Sequence, residues 1–282
     1  IIPHEETFSK VKADRLNLLR DMEAHLESIF GIFTGLTPEL NRKIRDNERL
    51  VFRYVDSSNV EHRYYRLSDP EITARITEEL KDQKMLIADG HHRYETALNY
   101  ALENPDDPKK QYVLATLVPS DDEGLVIWPT HRLVKSENIS EKNAVKGIES
   151  ALKTQEVSRE EMLEKLPEHM MGIVFKSGKC LLADSDGTPD NILSTLDTYV
   201  VQQKVLYGVF KSDEGKADIS YDAEIDSVLK KMDAKEFDAA IVLNDPSLQT
   251  IWDLSMKSKR MPKKTTFFFP KIWSGFVIYR MA

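Results

Sequence analysis

Met85-Leu86-Ile87-Ala88-Asp89-Gly90-His91-His92-Arg93-Tyr94-Glu95-Thr96-Ala97-Leu98-Asn99-Tyr100-Ala101-Leu102 decides how the chain folds. A short apolar run ends in an acid and a glycine, after which Tyr94, Ala97, Leu98, Ala101 and Leu102 recur at three-and-four spacing. The pattern predicts a buried strand that turns at Gly90 straight into a helix. Two histidines and Arg93 then fall in the first helical turn. Backbone N–H groups there have no intrahelical acceptor, and the positive end of the helix dipole lies beside them. A phosphate or carboxylate would meet donors, dipole and side-chain cations together. Cations at that end of a helix are otherwise unfavourable, so their crowding speaks for a bound anion.

Outward from this stretch, Lys10 to Phe33 carries apolar residues at roughly helical intervals and predicts a long amphipathic helix. Leu50 to Val55 and Glu61 to Leu67 predict a hairpin through Asp56-Ser57-Ser58-Asn59. Asp69-Pro70 starts a helix, with the aspartate as cap and the proline at the first helical position. Tyr112 to Val118 and Leu125 to Trp128 predict strands, the second closed by Pro129-Thr130-His131-Arg132. Beyond Ser136 the chain turns strongly charged. A hairpin through Ser177-Gly178, a helix from Asn191 to Phe210, a strand at Asp218 to Tyr221, a strand at Ala239 to Leu243 and a helix at Ser247 to Met256 follow. Hairpins mixed with single strand-helix alternations predict an α+β fold of mixed sheets and packed helices, not a doubly wound sheet. The change of character places a boundary between residues 1–135, a phosphate- or nucleotide-binding domain, and 136–282, a second α+β subdomain.

The 282 residues suffice for two ordinary domains, and 41% hydrophobic with 30% charged content belongs to a soluble globular chain. No apolar run reaches membrane-spanning length. A net charge of −8 argues against a general nucleic-acid footprint. The expectation is a cytoplasmic protein with neither membrane nor nucleic-acid partner. The chain begins with Ile1, which predicts that an N-terminal region precedes it in the full-length protein. Its single cysteine, Cys180, sits in a strand-like setting and is expected to be a small core residue.

Asp89, His91, His92 and Glu95 are the candidates for acid-base work. Gly90 and Arg93 are the candidates for holding phosphate, with Arg93 offering two parallel hydrogen bonds and a histidine a third donor or a proton shuttle. His131 and Arg132, at a strand end, and Lys263 and Lys264, in the basic run Lys257 to Lys271, are candidates to complete the pocket. The bland alternatives are a solvated turn, a solvated basic loop before an aromatic strand, and charges at His4-Glu5 and Lys12 to Arg15 that decorate a helix start. His25, His62 and His169 read as surface residues. Asp89 is also the candidate metal ligand, for Mg²⁺ arriving with a nucleotide. Adjacent histidines point about a third of a turn apart, so joint chelation by His91 and His92 ranks lower. No Gly-x-Ser-x-Gly elbow, Walker loop or dinucleotide fingerprint is present.

Four motifs carry a resemblance: His4-Glu5-x-Thr7 with Lys12-Ala13-Asp14-Arg15-Leu16, Asp89-Gly90-His91-His92-Arg93-Tyr94-Glu95-Thr96-Ala97, Pro129-Thr130-His131-Arg132, and Met261-Pro262-Lys263-Lys264-Thr265 through Phe269-Pro270-Lys271. Through them the chain resembles the prokaryotic family called domain of unknown function 1015. Gly90 and Arg93 also match the Gly-x-x-Arg turn of the ParB/sulfiredoxin superfamily, and its free-serine kinases are similar in carrying Asp-Gly-His-His-Arg. The resemblance implies a ParB/sulfiredoxin-like element around the central motif and contact with nucleotide phosphates. It implies ATP or ADP with Mg²⁺ as cofactors, a small-molecule hydroxyl substrate such as a hydroxy amino acid, and Glu5 or Glu95 as a base. Sulfiredoxin carries its reactive cysteine where this chain has His91, so its redox chemistry is not expected. The alternative is a non-catalytic nucleotide-responsive regulatory or partner-binding module.

Overall fold

The structure, a computed structural model, describes residues 1–5, 9–57, 59–164, 166–185 and 192–282. Thr7 of the first motif, the expected turn residue Ser58 and the expected helix start Asn191 lie outside them.

Helix α1 (Ser9–Met22) stops at Glu23, whose backbone is left-handed with φ of 44°. Strands β1 (Ala24–His25) and β2 (Ile29–Phe33) follow. The helix predicted from Lys10 to Phe33 is therefore half as long as expected. All five residues of β2 are buried, and a strand covered on both faces shows no alternation that would mark it as a strand. Helix α2 (Pro38–Asn47) is capped by Thr37, whose hydroxyl accepts the N–H of Leu40. Strands β3 (Arg49–Val55) and β4 (Glu61–Arg66) form the expected hairpin. Helix α3 (Pro70–Leu80) starts as predicted, with Asp69 accepting the N–H groups of Glu71 and Ile72.

Strand β5 (Leu86–Asp89), helix α4 (His91–Glu103) and strand β6 (Ala115–Pro119) complete the first unit. β2 is the centre of a three-stranded sheet, antiparallel to β5 and parallel to β6. On the other side of β5, Ile2 donates to the Met85 carbonyl at 2.7 Å and accepts from Ile87 at 3.0 Å. The first residues of the chain thus run alongside the strand that delivers Asp89.

The tetrad from Pro129 to Arg132 does not close the preceding strand. β7 (Val126–Trp128) ends before it, and His131 opens a separate strand, β8 (His131–Lys135). Next come α5 (Glu141–Ala151), β9 (Thr154–Val157), α6 (Arg159–Glu164), β10 (Met170–Phe175) and β11 (Cys180–Asp184). The single helix expected up to Phe210 is instead a 3-10 turn at Ile192–Thr195, the short α7 (Asp197–Val200) and a wider π turn at Val201–Tyr207. The chain finishes with β12 (Asp218–Asp222), α8 (Ile225–Asp233), β13 (Ala239–Val242), α9 (Leu248–Met256), β14 (Phe267–Phe269) and β15 (Tyr279–Arg280).

A six-stranded antiparallel sheet in the order β12-β8-β13-β10-β11-β9 forms the second core. Successive side chains point to opposite faces. Ile173, Phe175 and Ile241 pack with α5 and the turn around Val205, whereas Val174, Cys180 and Val242 pack with α6 and α8. Cys180 is the buried core residue its setting implied, and burial pushes its thiol up.

The C-terminal part then returns to the first unit. Ile251 and Leu254 of α9, Met261 and Phe268 pack on Phe30, Ile32, Leu86 and Ala88, each fully buried apolar side chain contributing roughly 1.5–3 kcal/mol. β14 pairs with β7, and β15 with β1. This packing brings the basic stretch after α9 to the end of β5. It also buries His25, expected at the surface, against Tyr279, with the Tyr112 carbonyl at its Nε2. Among the described residues no helix is long and apolar enough to cross a membrane. The α+β class expected from the sequence is the class observed.

Candidate functional site

β5 and α4 meet at Gly90, which adopts φ of +92°, a region that glycine enters without steric penalty. The open space above it is filled by Arg93, one helical turn on. A Cβ at Gly90 would come within 2.9 Å of the Arg93 Nη2. Arg93 donates from Nη1 to Glu27 Oε2 at 2.9 Å and from Nη2 to the Ser28 carbonyl and to Asp89 Oδ2, both at 3.1 Å. The fork expected to grip a phosphate is thus turned to protein carboxylates and ties the start of β2 to the turn. Asp89 also lies 3.5 Å from Lys271 Nζ. Burial raises its carboxyl, but Lys271 and Arg93 outweigh that and hold it below the ordinary carboxylate range.

His91 is buried, and its Nε2 accepts the backbone N–H of His4 at 3.2 Å and of Glu5 at 3.4 Å. Burial lowers its pKa to about 4, so the ring stays neutral and serves as an acceptor. The His4 ring packs edge-on against it with centroids 4.5 Å apart, and His4 Nε2 lies 3.0 Å from the Thr266 hydroxyl. His4 is likewise held well below the usual histidine range by burial and by His91. This pair of neutral rings fixes the position of Glu5.

Glu5 is the carboxylate brought into the site from the other end of the chain. Its Oε1 accepts from the Thr266 N–H at 3.5 Å and from the Thr266 hydroxyl at 3.4 Å. Burial pushes its pKa up, against the pull of Thr266 and Lys264. Arg260 donates to its backbone carbonyl at 3.0 Å, and Met261 donates to that of His4 at 2.8 Å. His92 is lowered by burial and by the nearby charges of Arg15, Lys12 and Lys263, with Glu95 opposing them. Glu95 itself faces Lys12 at 2.9 Å.

The turn bearing Lys263 and Lys264 closes the site from above. Lys264 has a left-handed backbone, φ of +59°. The buried Thr265 hydroxyl donates to the Pro262 carbonyl at 2.6 Å and lies 3.3 Å from the Thr198 hydroxyl, and Arg132 donates to the Lys264 carbonyl at 3.1 Å. Together these elements enclose a cavity of about 240 Å³ lined by Glu5, Arg15, Asp89, Gly90, His91, His92, Arg93, Lys263 and Lys264. Four of these side chains are cationic and two anionic, in a chain whose overall charge is −8. The polarity of the cavity is therefore opposite to that of the molecule.

Eight of the residues singled out from the sequence converge here: Glu5, Asp89, Gly90, His91, His92, Arg93, Lys263 and Lys264. Glu95 is not among the lining residues. His131 and Arg132 lie on β8, where Arg132 is buried beneath the Lys264 carbonyl and over the Tyr221 ring, and His131 accepts the Leu243 N–H at 3.2 Å and lines a different cavity. Glu27, Arg260 and Thr266 were not singled out. Each acts across a large sequence separation, and although Arg260 and Thr266 lie in the run from Lys257 to Lys271, no spacing rule connects them or Glu27 to their partners.

A family profile described as Protein of unknown function (DUF1015) matches residues 1–199. The chain belongs to this family. No curated protein matches the sequence. Among solved structures, a conserved hypothetical protein from Pyrococcus furiosus shares the fold with a TM-score of 0.53 at 11% identity, over 99% of this chain and 91% of its own. A free serine kinase, crystallised as a glutamate-to-alanine mutant in complex with ADP, gives a TM-score of 0.53 at 13% identity, over 95% of this chain and 83% of its own. SbnI from Staphylococcus aureus, truncated at its C-terminus, gives 0.50 at 10% identity, over 95% and 78%. The likeness to a free serine kinase expected from the central motif thus extends over nearly the whole fold. Structures of the free serine kinase hold AMP or ADP.

Proposed function

We propose that the cavity at the N-terminus of α4 binds the phosphates of an adenine nucleotide, and that the protein transfers a phosphoryl group to a small hydroxyl compound such as a hydroxy amino acid. One observation carries this reading. Arg15, Lys263 and Lys264, from opposite ends of the chain, are gathered beside the first turn of α4, at the positive end of its dipole. The wall carries four cationic side chains against the carboxylates of Glu5 and Asp89, a positive surplus that a bound anion would balance. The fold shared with a free serine kinase whose structures hold AMP and ADP supports the same ligand.

In this reading the α4 first turn and the two lysines hold the phosphates, and Arg93 positions the turn through Asp89 and Glu27 instead of gripping the ligand. Glu5 accepts the proton of the substrate hydroxyl as the hydroxyl oxygen bonds to the terminal phosphorus of the nucleotide; the bond from that phosphorus to its bridging oxygen breaks, and the nucleotide shortened by one phosphate leaves. The place of Glu5 on the cavity wall and a pKa pushed up by burial, which makes it a stronger proton acceptor than an ordinary carboxylate, suit this role. Glu95, held by Lys12 away from the wall, is the weaker choice. Asp89 fits a Mg²⁺ ion poorly, because both of its oxygens already face cations. Among the described residues no group of three side chains could hold a metal ion.

Incubating the protein with labelled ATP or ADP and a set of hydroxy amino acids tests the reaction. A phosphorylated amino acid is the expected product. Nucleotide binding without any product would assign the site to a regulatory module.

A further inference from the structure

Arg15 and Arg93 line a second cavity besides the phosphate cavity, one of about 110 Å³ between α1, the segment from Ala24 to Glu27 and α4. Glu5 and the two lysines are not among its described lining residues. Leu18, Leu19, Met22 and Leu26 make its walls apolar. Leu18 and Met22 are half-exposed, so the cavity opens to solvent along α1.

Two of its lining residues carry buried polar atoms that nothing satisfies. Thr96 is 3% exposed, and its Oγ1 has no hydrogen-bond partner among the described residues. A threonine inside a helix commonly returns its hydroxyl to the carbonyl one turn back, here that of His92, and this one does not. Arg93 spends Nη1 and Nη2 on Glu27, Ser28 and Asp89, while its buried Nε has no partner. Buried polar atoms left unpaired are costly, and native proteins keep few of them. Thr96 borders this cavity and not the phosphate cavity, so a partner for its hydroxyl has to come from this side.

Because the two cavities share Arg15 and Arg93, a ligand that spans them carries phosphates at one end and an apolar group with a polar edge at the other. A nucleobase has that character, with apolar ring faces and nitrogens along its edge. The acceptor substrate does not suit this place, since its hydroxyl has to reach Glu5, which lines the phosphate cavity and not this one.

We propose that the nucleobase enters this cavity, an inference that rests on the nucleotide reading of the phosphate cavity. Its ring lies against Leu19, Met22 and Leu26, and its edge nitrogens pair with the Thr96 hydroxyl and the Arg93 Nε–H. The hydroxyl can donate to a ring nitrogen or accept from an exocyclic amine. Arg15 stands where the nucleobase end and the phosphate end meet.

Titration calorimetry of the full chain with ADP and with inorganic pyrophosphate tests this, on the unaltered protein and on Thr96→Val and Met22→Trp. Valine has the shape of threonine, and the hydroxyl it removes has no partner in the protein, so Thr96→Val should keep or raise Tm. Its ADP affinity should fall about fivefold while its pyrophosphate affinity stays unchanged. Met22 is the last residue of α1 and stands at the rim, where an indole fills the cavity. Met22→Trp should weaken ADP roughly tenfold or more and again spare pyrophosphate. ADP affinity unchanged in either variant, or an equal loss for ADP and pyrophosphate, would overturn the nucleobase cavity and leave the phosphate site standing. A lowered Tm in Thr96→Val would also overturn it, by showing that the hydroxyl is bonded within the protein. Failure of the unaltered chain to bind ADP would instead bring down the nucleotide reading, and this inference with it.

Discussion

Arg93 reaches back across Gly90 to donate to Asp89 at 3.1 Å, so one guanidinium joins the strand that ends at the turn to the helix that begins there. The turn depends on this relationship as much as on the glycine itself. Gly90→Ala places a methyl group within 2.9 Å of Arg93 Nη2 and forces alanine into φ of +92°. We expect a loss of about 1–3 kcal/mol in urea unfolding, the usual cost of a non-glycine residue in that region. Unchanged stability would contradict the geometry.

His91 holds the first residues of the chain by accepting from His4 and Glu5, which it can do only while unprotonated. Its pKa falls from the ordinary 6.5 to about 4 on folding. The unfolded chain therefore takes up the proton first as pH falls. Stability is complete above about pH 6.5 and declines as the pH drops toward 4, by on the order of 3 kcal/mol for this residue. Urea midpoints measured between pH 7 and 4 check this. His91→Asn should be less stable at pH 7 and lose part of the slope; a variant with an undiminished slope would remove His91 as its source.

The strand-turn-helix at Gly90 was legible because each of its signals is local: an apolar run, an acid, a glycine and then helical spacing. The Asp69-Pro70 helix start was legible for the same reason. The long helix predicted to Phe33 was not, since a fully buried strand lacks alternation and Glu23 is an unusual residue for the left-handed stop at φ of 44°. Within the site, the lysine turn could be named from its charge, but its brace could not. Thr265, Thr198 and Arg132 meet only once the chain has folded back from α9. Arg93 was correctly placed at the turn but expected to face a ligand, because Glu27 lies 66 positions away and no spacing rule connects them.

Lys264 separates charge from backbone in a single experiment. Its left-handed φ of +59° suits glycine, so Lys264→Gly removes the ammonium while relieving strain and keeps the carbonyl that Arg132 holds. ADP affinity should fall about fivefold, or roughly 1 kcal/mol, with stability retained or raised. Equal affinity in calorimetry would exclude this lysine from the phosphate site.

Glu5→Gln keeps the size of the side chain and removes the proton acceptor. Phosphoryl transfer should fall by about 10²–10⁴-fold while ADP affinity stays within a factor of a few. A variant that turns over normally would require another base.

The most direct measurement of the central claim is a titration of the chain with ADP and with adenosine, repeated on Lys263→Ala combined with Lys264→Gly. ADP is expected to bind saturably and at least tenfold more tightly than adenosine, and the double substitution to abolish most of that difference. ADP binding no tighter than adenosine, or a preference that survives the loss of both lysines, would contradict a nucleotide-phosphate site at the turn from Asp89 to Arg93.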